Sequence, residues 1–516
     1  MQFISLDDMI TEDNPVRIID AFVDKIDLHQ IGIAAACLNT EGRPPFHPSL
    51  LLKLYLYGYL NRIRSSRRLE AECMRNIELQ WLCKQLAPNY HTISNFRRDN
   101  PKALKALFKL FVLFLRQQDL IGGDVIAIDG SKFRAQNSKK NNYNQKKIDR
   151  HQAYIDHKAE AYLQALDDMD REEHKDSELS IRKEKVQKEL QKLRERKEKY
   201  NLLQDQLNST NETQISTTDR DARALPIHRT IIEVAFNVQS AVDEKHNLIV
   251  VCQTTNDTDR NALAPVALAA KQILETDQCI ALSDKGYHNG GHIQKCEEAG
   301  ITTLAAYQDH CNNSEAMHPD YYTSRFIYDK AADTYLCTQG HLLTTKGTWH
   351  EKKRENGKVS YLFKKYRTNA CNTCPVKHLC TARAKGGREI ERSQYQDAVD
   401  RNNKRVDLQK ELYLKRQAIV EHPFGTIKRG WGYSYTLVKG LEKVDAEMNL
   451  IALVYNLKRA INILGSNKLL KALNNLTPDY EKVLWLLKTT LIRSIYVPLK
   501  ALLFLYQPLP ARKLSA

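Results

Sequence analysis

The chain has 516 residues, with 78 Lys and Arg against 62 Asp and Glu and a formal net charge of +16. That length exceeds one hydrophobic core, so two or three domains are expected, and the basic excess favours a polyanionic partner, nucleic acid first; a merely basic soluble protein is the bland alternative. The start, Met1 to Ile4 running into Asp7 and Asp8, lacks the basic segment and apolar core of a secretory signal, and the most apolar stretch, Val483 to Tyr506, is broken by Lys488, Arg493, Pro498 and Lys500. Both point to a cytoplasmic protein with no membrane partner and with amphipathic packing helices near its end, a membrane-surface element being the competing reading of that stretch.

Residues 1–118 read as a helical domain. Leu50, Leu51, Leu54, Tyr55 and Gly58 follow Pro44-Pro45 at helical spacing, with Ser49 as the expected cap. Ser65 and Ser66 would cap a helix carrying Arg67 and Arg68, Thr92 one carrying Arg97 and Arg98, and Pro101 opens a long helix to about Gln118. Short helices with basic ends resemble a helix-turn-helix group, which makes these four arginines candidate DNA contacts; a plain bundle with solvated arginines is the competing reading.

The run Val125-Ile126-Ala127-Ile128 reads as a buried strand ending in Asp129-Gly130-Ser131. Residues 141–207 then change character, being dense in Lys, Glu, Gln and Arg. Ile148, Ile155, Tyr162 and Met169 recur every seven residues, as do Leu179, Val186, Leu193, Tyr200 and Leu207. Two heptad columns around a polar link predict an antiparallel helical hairpin, weakly specified because Lys183, Lys197 and Gln204 fall at core positions.

Strands return at Ile231–Phe236, Gln239–Val242 and Leu248–Cys252, a meander around the turn Asp243–Asn247. A helix from Leu263 to Leu274 follows, then Ile280-Ala281-Leu282-Ser283 closing on Asp284-Lys285-Gly286-Tyr287, a helix from about Gly291 to Ala299 and a strand from Thr302 to Tyr307. This order is that of a ribonuclease-H-like α/β fold, a mixed sheet flanked by helices, spanning 119–464 with the hairpin at 141–207 and a Cys-containing insertion at 308–392. Residues 465–516 form a helical tail. Two aspartates at strand ends beside glycine suit a divalent cation, and a third acid would suit phosphodiester chemistry with two ions.

The segment from Arg416 to Gly430 supplies that acid as Glu421, seven residues before Lys428; Pro423 is expected either to interrupt one helix or to open a second. Glu447, on the predicted helix Glu442–Leu464, competes for the third place, and Asn256–Arg260 is either a plain turn or part of the cleft.

Ile128-Asp129-Gly130-Ser131, Phe236-Asn237-Val238-Gln239 with Ala241-Val242-Asp243, Ser283-Asp284-Lys285-Gly286-Tyr287 and Val420–Lys428 together resemble the DDE transposases of bacterial insertion sequences. Tyr413, Arg416, Glu421 and Lys428 resemble that family's Tyr-x2-Arg-x3-Glu-x6-Lys signature, with four residues rather than three between Arg416 and Glu421. The resemblance implies Asp129, Asp284 and Glu421 as the catalytic acids holding two Mg²⁺, with Mn²⁺ able to substitute. It also implies Lys428, Arg416 and Tyr413 as DNA contacts, the element's terminal inverted repeats and target DNA as substrates, and a homo-oligomer at paired ends in a nucleoid-associated protein. A metal-dependent nuclease of the same fold and a catalytically inert DNA-binding regulator are the alternatives.

Eleven cysteines in a reducing compartment should be mostly thiols. Cys37, Cys73, Cys83, Cys252, Cys279 and Cys296 sit in apolar or helical settings. Cys371-x2-Cys374-x5-Cys380, with Cys337 upstream, suits either a structural Zn²⁺, His378 or His341 being substitute ligands, or a set of metal-free thiols.

Overall fold

The computed structural model describes residues 5–33, 44–171, 177–210, 212–228, 231–308, 316–353 and 359–486. Cys37 and the apolar stretch after Leu486 lie outside them.

The amino-terminal part is helical: α1 (Pro15–Asp24), α2 (Pro48–Leu60), α3 (Ser66–Arg75), α4 (Ile77–Leu82), α5 (Tyr90–Asp99) and α6 (Pro101–Gln117). Proline opens α1, α2 and α6, where a missing N–H leaves nothing unsatisfied. Ser65 caps α3 as expected, but His47 rather than Ser49 caps α2 and Asn89 rather than Thr92 caps α5. In both cases an acceptor side chain two or three residues earlier reaches the first free N–H groups.

Past β1 (Val125–Arg134), the strands β2 (Asn142–Asn144) and β3 (Gln214–Ser216) pair antiparallel at the base of the hairpin formed by α7 (Gln145–Arg171) and α8 (Ser177–Thr210). Tyr143, Ile148, Ile155, Leu193, Tyr200, Leu203 and Leu207 bury against one another there, and Tyr162 packs on them. The polar core positions find partners instead of repelling: Lys197 meets Asp156 at 2.6 Å and Gln204 donates to Gln145 at 2.6 Å.

The main sheet continues with β4 (Arg223–His228), β5 (Ile231–Asp243), β6 (Ile249–Thr255), the helix α9 (Leu263–Leu274), β7 (Cys279–Ser283), α10 (Gly290–Glu298) and β8 (Ile301–Ala305). Its order is β4-β5-β1-β7-β8, with β6 beside the second half of β5. Strands β1, β7 and β8 run parallel, whereas β5 is antiparallel to β1, β4 and β6. The two strands expected at 231–236 and 239–242 are one, because Asn237 and Val238 pair on both edges. β4 was not legible, and β1 extends six residues past Ile128 because β5 pairs with it as far as Arg134.

The insertion after β8 holds β9 (Ile327–Asp329), β10 (Thr334–Leu336), β11 (Leu342–Thr345), β12 (His350–Lys353), β13 (Val359–Arg367), the short α11 (Lys377–Cys380) and β14 (Ile390–Ser393). Then come α12 (Gln396–Leu408), α13 (Lys410–Phe424), a π-helical turn Gly425–Gly430, α14 (Leu441–Leu464) and α15 (Ser466–Asn474). α14 is buried on nearly all sides between the amino-terminal helices and the sheet. Asn456 satisfies both backbone groups of Ile249, and Asp445 accepts from Thr254 N–H at 2.7 Å, which closes the outer edge of β6. Among the described residues no helix is long and apolar enough to cross a membrane.

Candidate active site

Ile126, Ala127 and Ile128 are wholly buried, and Asp129 is half-buried where β1 leaves the apolar layer. The parallel register runs from Val125 opposite Ile280 to Ile128 opposite Ser283, so Asp129 and Asp284 occupy the next rung, Asp284 just past the carboxyl end of β7 and Asp129 within β1, which runs on to Arg134 beside β5 rather than ending at the acid as expected. Asp284 Oδ1 accepts from Gly286 N–H at 2.8 Å and caps the turn Lys285–Tyr287. Asp129 Oδ1 accepts from Gly130 N–H at 2.8 Å. Burial, with the negative charges of Asp284 and Asp259, pushes the Asp129 carboxyl up to about 6 against the opposing pull of Gly130 N–H and Arg416.

The opposite face of β1 explains the glycine. Gly130 pairs with Gln239 and Lys132 with Asn237, so these side chains share one face. Gln239 and Asn237 each donate to Asp259 Oδ1 at 2.8 Å, Lys132 Nζ meets Asp259 Oδ2 at 2.7 Å, and Tyr287 Oη donates to Gln239 Oε1. A methyl group on residue 130 would overlap Asp259 and Gln239. Burial alone would raise the Asp259 carboxyl, yet Lys132 and the two amides hold it below the usual range. Asp259 belongs to the segment that read equally as a turn or as cleft wall; it opens the turn Asp259–Asn261, with its carboxylate on Lys132, Asn237 and Gln239 beside Gly130. Two amide side chains alternating on β5 opposite a glycine are the signal that could have singled it out.

On the Asp129 face, Phe133 packs near Phe424, and Lys428 lies over the Phe133 ring at 4.6 Å while donating to Lys132 O at 2.6 Å. Burial and the neighbouring Lys132 push the Lys428 ammonium down to about 8, although Asp129 works against them. Arg416 is half-buried on α13 and acts on Asp129, and Tyr413, one turn earlier, is half-buried against the main core. Glu421 differs. It is exposed, accepts from Gln417 at 2.8 Å, and is not among the charges that act most on Asp129. Pro423 lies inside the last turn of α13 rather than opening a helix, and the chain passes at once into the π-helical turn. Among the described residues no three His, Cys, Asp or Glu side chains are gathered as a ready metal site.

Two expectations are corrected. Glu447 does not face the cleft: wholly buried, it accepts from Tyr59 Oη at 3.1 Å and Leu437 N–H at 2.8 Å, with Arg64 and Arg97 at 3.6 and 3.9 Å. Arg97 therefore points inward, 8% exposed, on the same side of α5 as Ile93 and Phe96, and has no surface for DNA. Arg67 and Arg68 are exposed, the former over the Tyr90 ring at 5.0 Å, and Arg98 is exposed beside Asp99 at 2.6 Å. Cys73, Cys83, Cys252, Cys279 and Cys296 are buried free thiols. Cys337, Cys371, Cys374 and Cys380 are half-buried and line one cavity; burial, together with the other three, pushes the Cys380 thiol up to about 11 against the pull of Arg388.

Asp129 within β1 and Asp284 just past β7 thus lie side by side, with Lys428 and Arg416 in the field of Asp129. Residues 4–99 match the family model of a transposase domain (DUF772), and residues 336–461 match that of a transposase DDE domain. The two matches, which together cover less than half of the chain, support a DDE transposase of the insertion-sequence type. The DDE match contains Glu421 and the four clustered cysteines but neither Asp129 nor Asp284. No curated protein and no solved structure matches the chain.

Proposed function

We propose that this transposase cuts the ends of its insertion sequence and joins them to target DNA, with Asp129, Asp284 and Glu421 as the catalytic acids. The observation that carries the reading is the placement of Asp129 and Asp284 side by side, one rung past the paired register of parallel β1 and β7, close enough for one charge to raise the other's carboxyl. The sheet order, with β5 antiparallel to an otherwise parallel β1-β7-β8 core, supports the ribonuclease-H-like assignment.

Hard carboxylate oxygens that repel one another fit Mg²⁺ or Mn²⁺ as donors. When bound, two such ions supply an activated nucleophile and stabilise the leaving oxygen. Asp129 from within β1 and Asp284 from just past the end of β7 would hold the ions. Glu421 would join them if the end of α13 turned, where Pro423 lacks an N–H and the π-helical turn loosens the backbone ladder. Lys428, in the field of Asp129, and Arg416 face the backbone phosphates near the cut, and Tyr413 lines the approach. Asp259 with Lys132 positions the Asp129-Gly130 corner. Exposed Arg67, Arg68 and Arg98 supply the sequence-independent part of binding to the terminal repeats, and pairing of two ends calls for a second copy of the chain.

The test is a duplex taken from DNA flanking the reading frame, incubated with purified chain and Mg²⁺. Cleavage and joining are expected, both lost in Asp129→Asn, Asp284→Asn and Glu421→Gln. Cutting without joining would make the protein a nuclease, and binding without either would make it a regulator.

A further inference from the structure

Four thiols play no part in this chemistry, yet three separate stretches of chain bring them together. Cys337 follows β10, Cys371 and Cys374 lie in the turn before α11, and Cys380 ends α11; all four line a cavity of about 20 Å³ together with Arg388. The turn after Cys337 is folded around its sulfur. Cys337 N–H donates to His341 O at 2.9 Å, Gly340 N–H to Cys337 O at 3.0 Å, and His341 N–H to Cys337 Sγ at 3.3 Å. An amide aimed at sulfur favours the thiolate that a metal takes. At Gly387 a methyl would overlap Cys371, with Sγ at 2.8 Å, so the chain closes over this thiol only without a side chain.

The neighbouring charge has the right sign. A divalent ion held by four thiolates keeps a net charge of two negatives, and Arg388, buried at 4% exposure, supplies a cation beside it. Among the described residues the fold around the cavity also lacks another staple. Among the described residues its core is Phe326, Tyr335, Leu343, Tyr366 and Ile390, and Cys337, Cys371, Cys374 and Cys380 form no disulfide. Modules with so small a core ordinarily need a disulfide or a metal. The thiols are not turned onto one ion as they stand, so coordination calls for other χ1 rotamers of these cysteines.

We propose that Cys337, Cys371, Cys374 and Cys380 bind one Zn²⁺ in tetrahedral thiolate coordination, each thiol releasing its proton to solvent. The ion fastens the module from which Arg392 reaches Asp400 on α12 at 3.0 Å, and so steadies the helices leading to Glu421. Elemental analysis of the full chain, untagged and reconstituted with Zn²⁺, should give about one zinc per chain. The Cys371→Ser/Cys374→Ser pair should hold none, while Cys296→Ser, at a buried thiol elsewhere, should keep it. Should the double variant fail to fold, titration of wild type with a mercurial and a zinc indicator decides: one zinc should be released as the four thiols react. Co²⁺ in place of Zn²⁺ should show tetrahedral thiolate bands. A zinc-free wild type with four alkylatable thiols, zinc retained in the double variant, or iron instead of zinc would each overturn the proposal. None of these readouts depends on cleavage or joining.

Discussion

Asp129→Asn should make the metal-free protein more stable while abolishing its chemistry. The Asp129 carboxyl is pushed from an ordinary 3.8 to about 6 by burial and by Asp284. A carboxyl raised on folding favours the native state fully only below pH 4, and that advantage is lost as pH rises through 6. The deficit reaches about 3 kcal/mol above pH 7, and about 2 kcal/mol after allowing for solvent at a half-buried group; by pH 5 it is about half as large. Asparagine keeps the shape without the charge. Melting followed by near-ultraviolet circular dichroism in EDTA should therefore place the variant about 5 °C above wild type at pH 7.5 if the catalytic domain unfolds as a unit, with a smaller gap at pH 5. Adding Mg²⁺ should raise wild type and leave the variant nearly unmoved. A variant less stable than wild type at pH 7.5, or a gap that does not shrink with acid, would refute the reasoning.

Gly130→Ala should destabilise by about 1–3 kcal/mol, because its methyl overlaps Asp259 and Gln239, and should abolish cleavage even though no carboxylate is changed. Urea denaturation beside the cleavage assay measures both, and a neutral outcome in each would contradict the Asp259 corner. Glu447→Ala leaves Arg64 and Arg97 buried without their counter-charge and should cost about 3–5 kcal/mol, seen as earlier melting and as proteolysis between the helical domain and the sheet. Unchanged melting would show that this network is not structural. Lys428, its ammonium held near 8, loses its charge as pH rises through 8, so DNA affinity measured by fluorescence anisotropy should fall between pH 7 and 9. Lys428→Arg, charged throughout, should flatten that fall, and an identical profile would remove Lys428 from the DNA contacts.

Much of the catalytic fold was written locally. Short apolar runs leading to Asp129 and Asp284 declared both strands, though β1 runs past its acid to Arg134 because β5 pairs with it there, and the heptad columns declared the hairpin through Ile148, Ile155, Tyr200 and Leu207. What stayed hidden depends on partners distant in sequence. Arg97 reads as surface because its acid, Glu447, is supplied by α14, and Glu447 reads as cleft-facing for the same reason. Asp259 looks like a turn residue until β5 lays Asn237 and Gln239 beside Gly130. Pro423 suggests a helix start, yet α13 carries it in its final turn by passing into the π-helical turn.

The measurement that bears most directly on the three acids is anomalous diffraction from crystals of the chain bound to its element end in Mn²⁺. The account predicts two manganese peaks between the carboxylates of Asp129 and Asp284, with Glu421 turned in from the end of α13 to share them. Manganese at neither aspartate, or at both with Glu421 still facing solvent and Asp259 in its place, would contradict it.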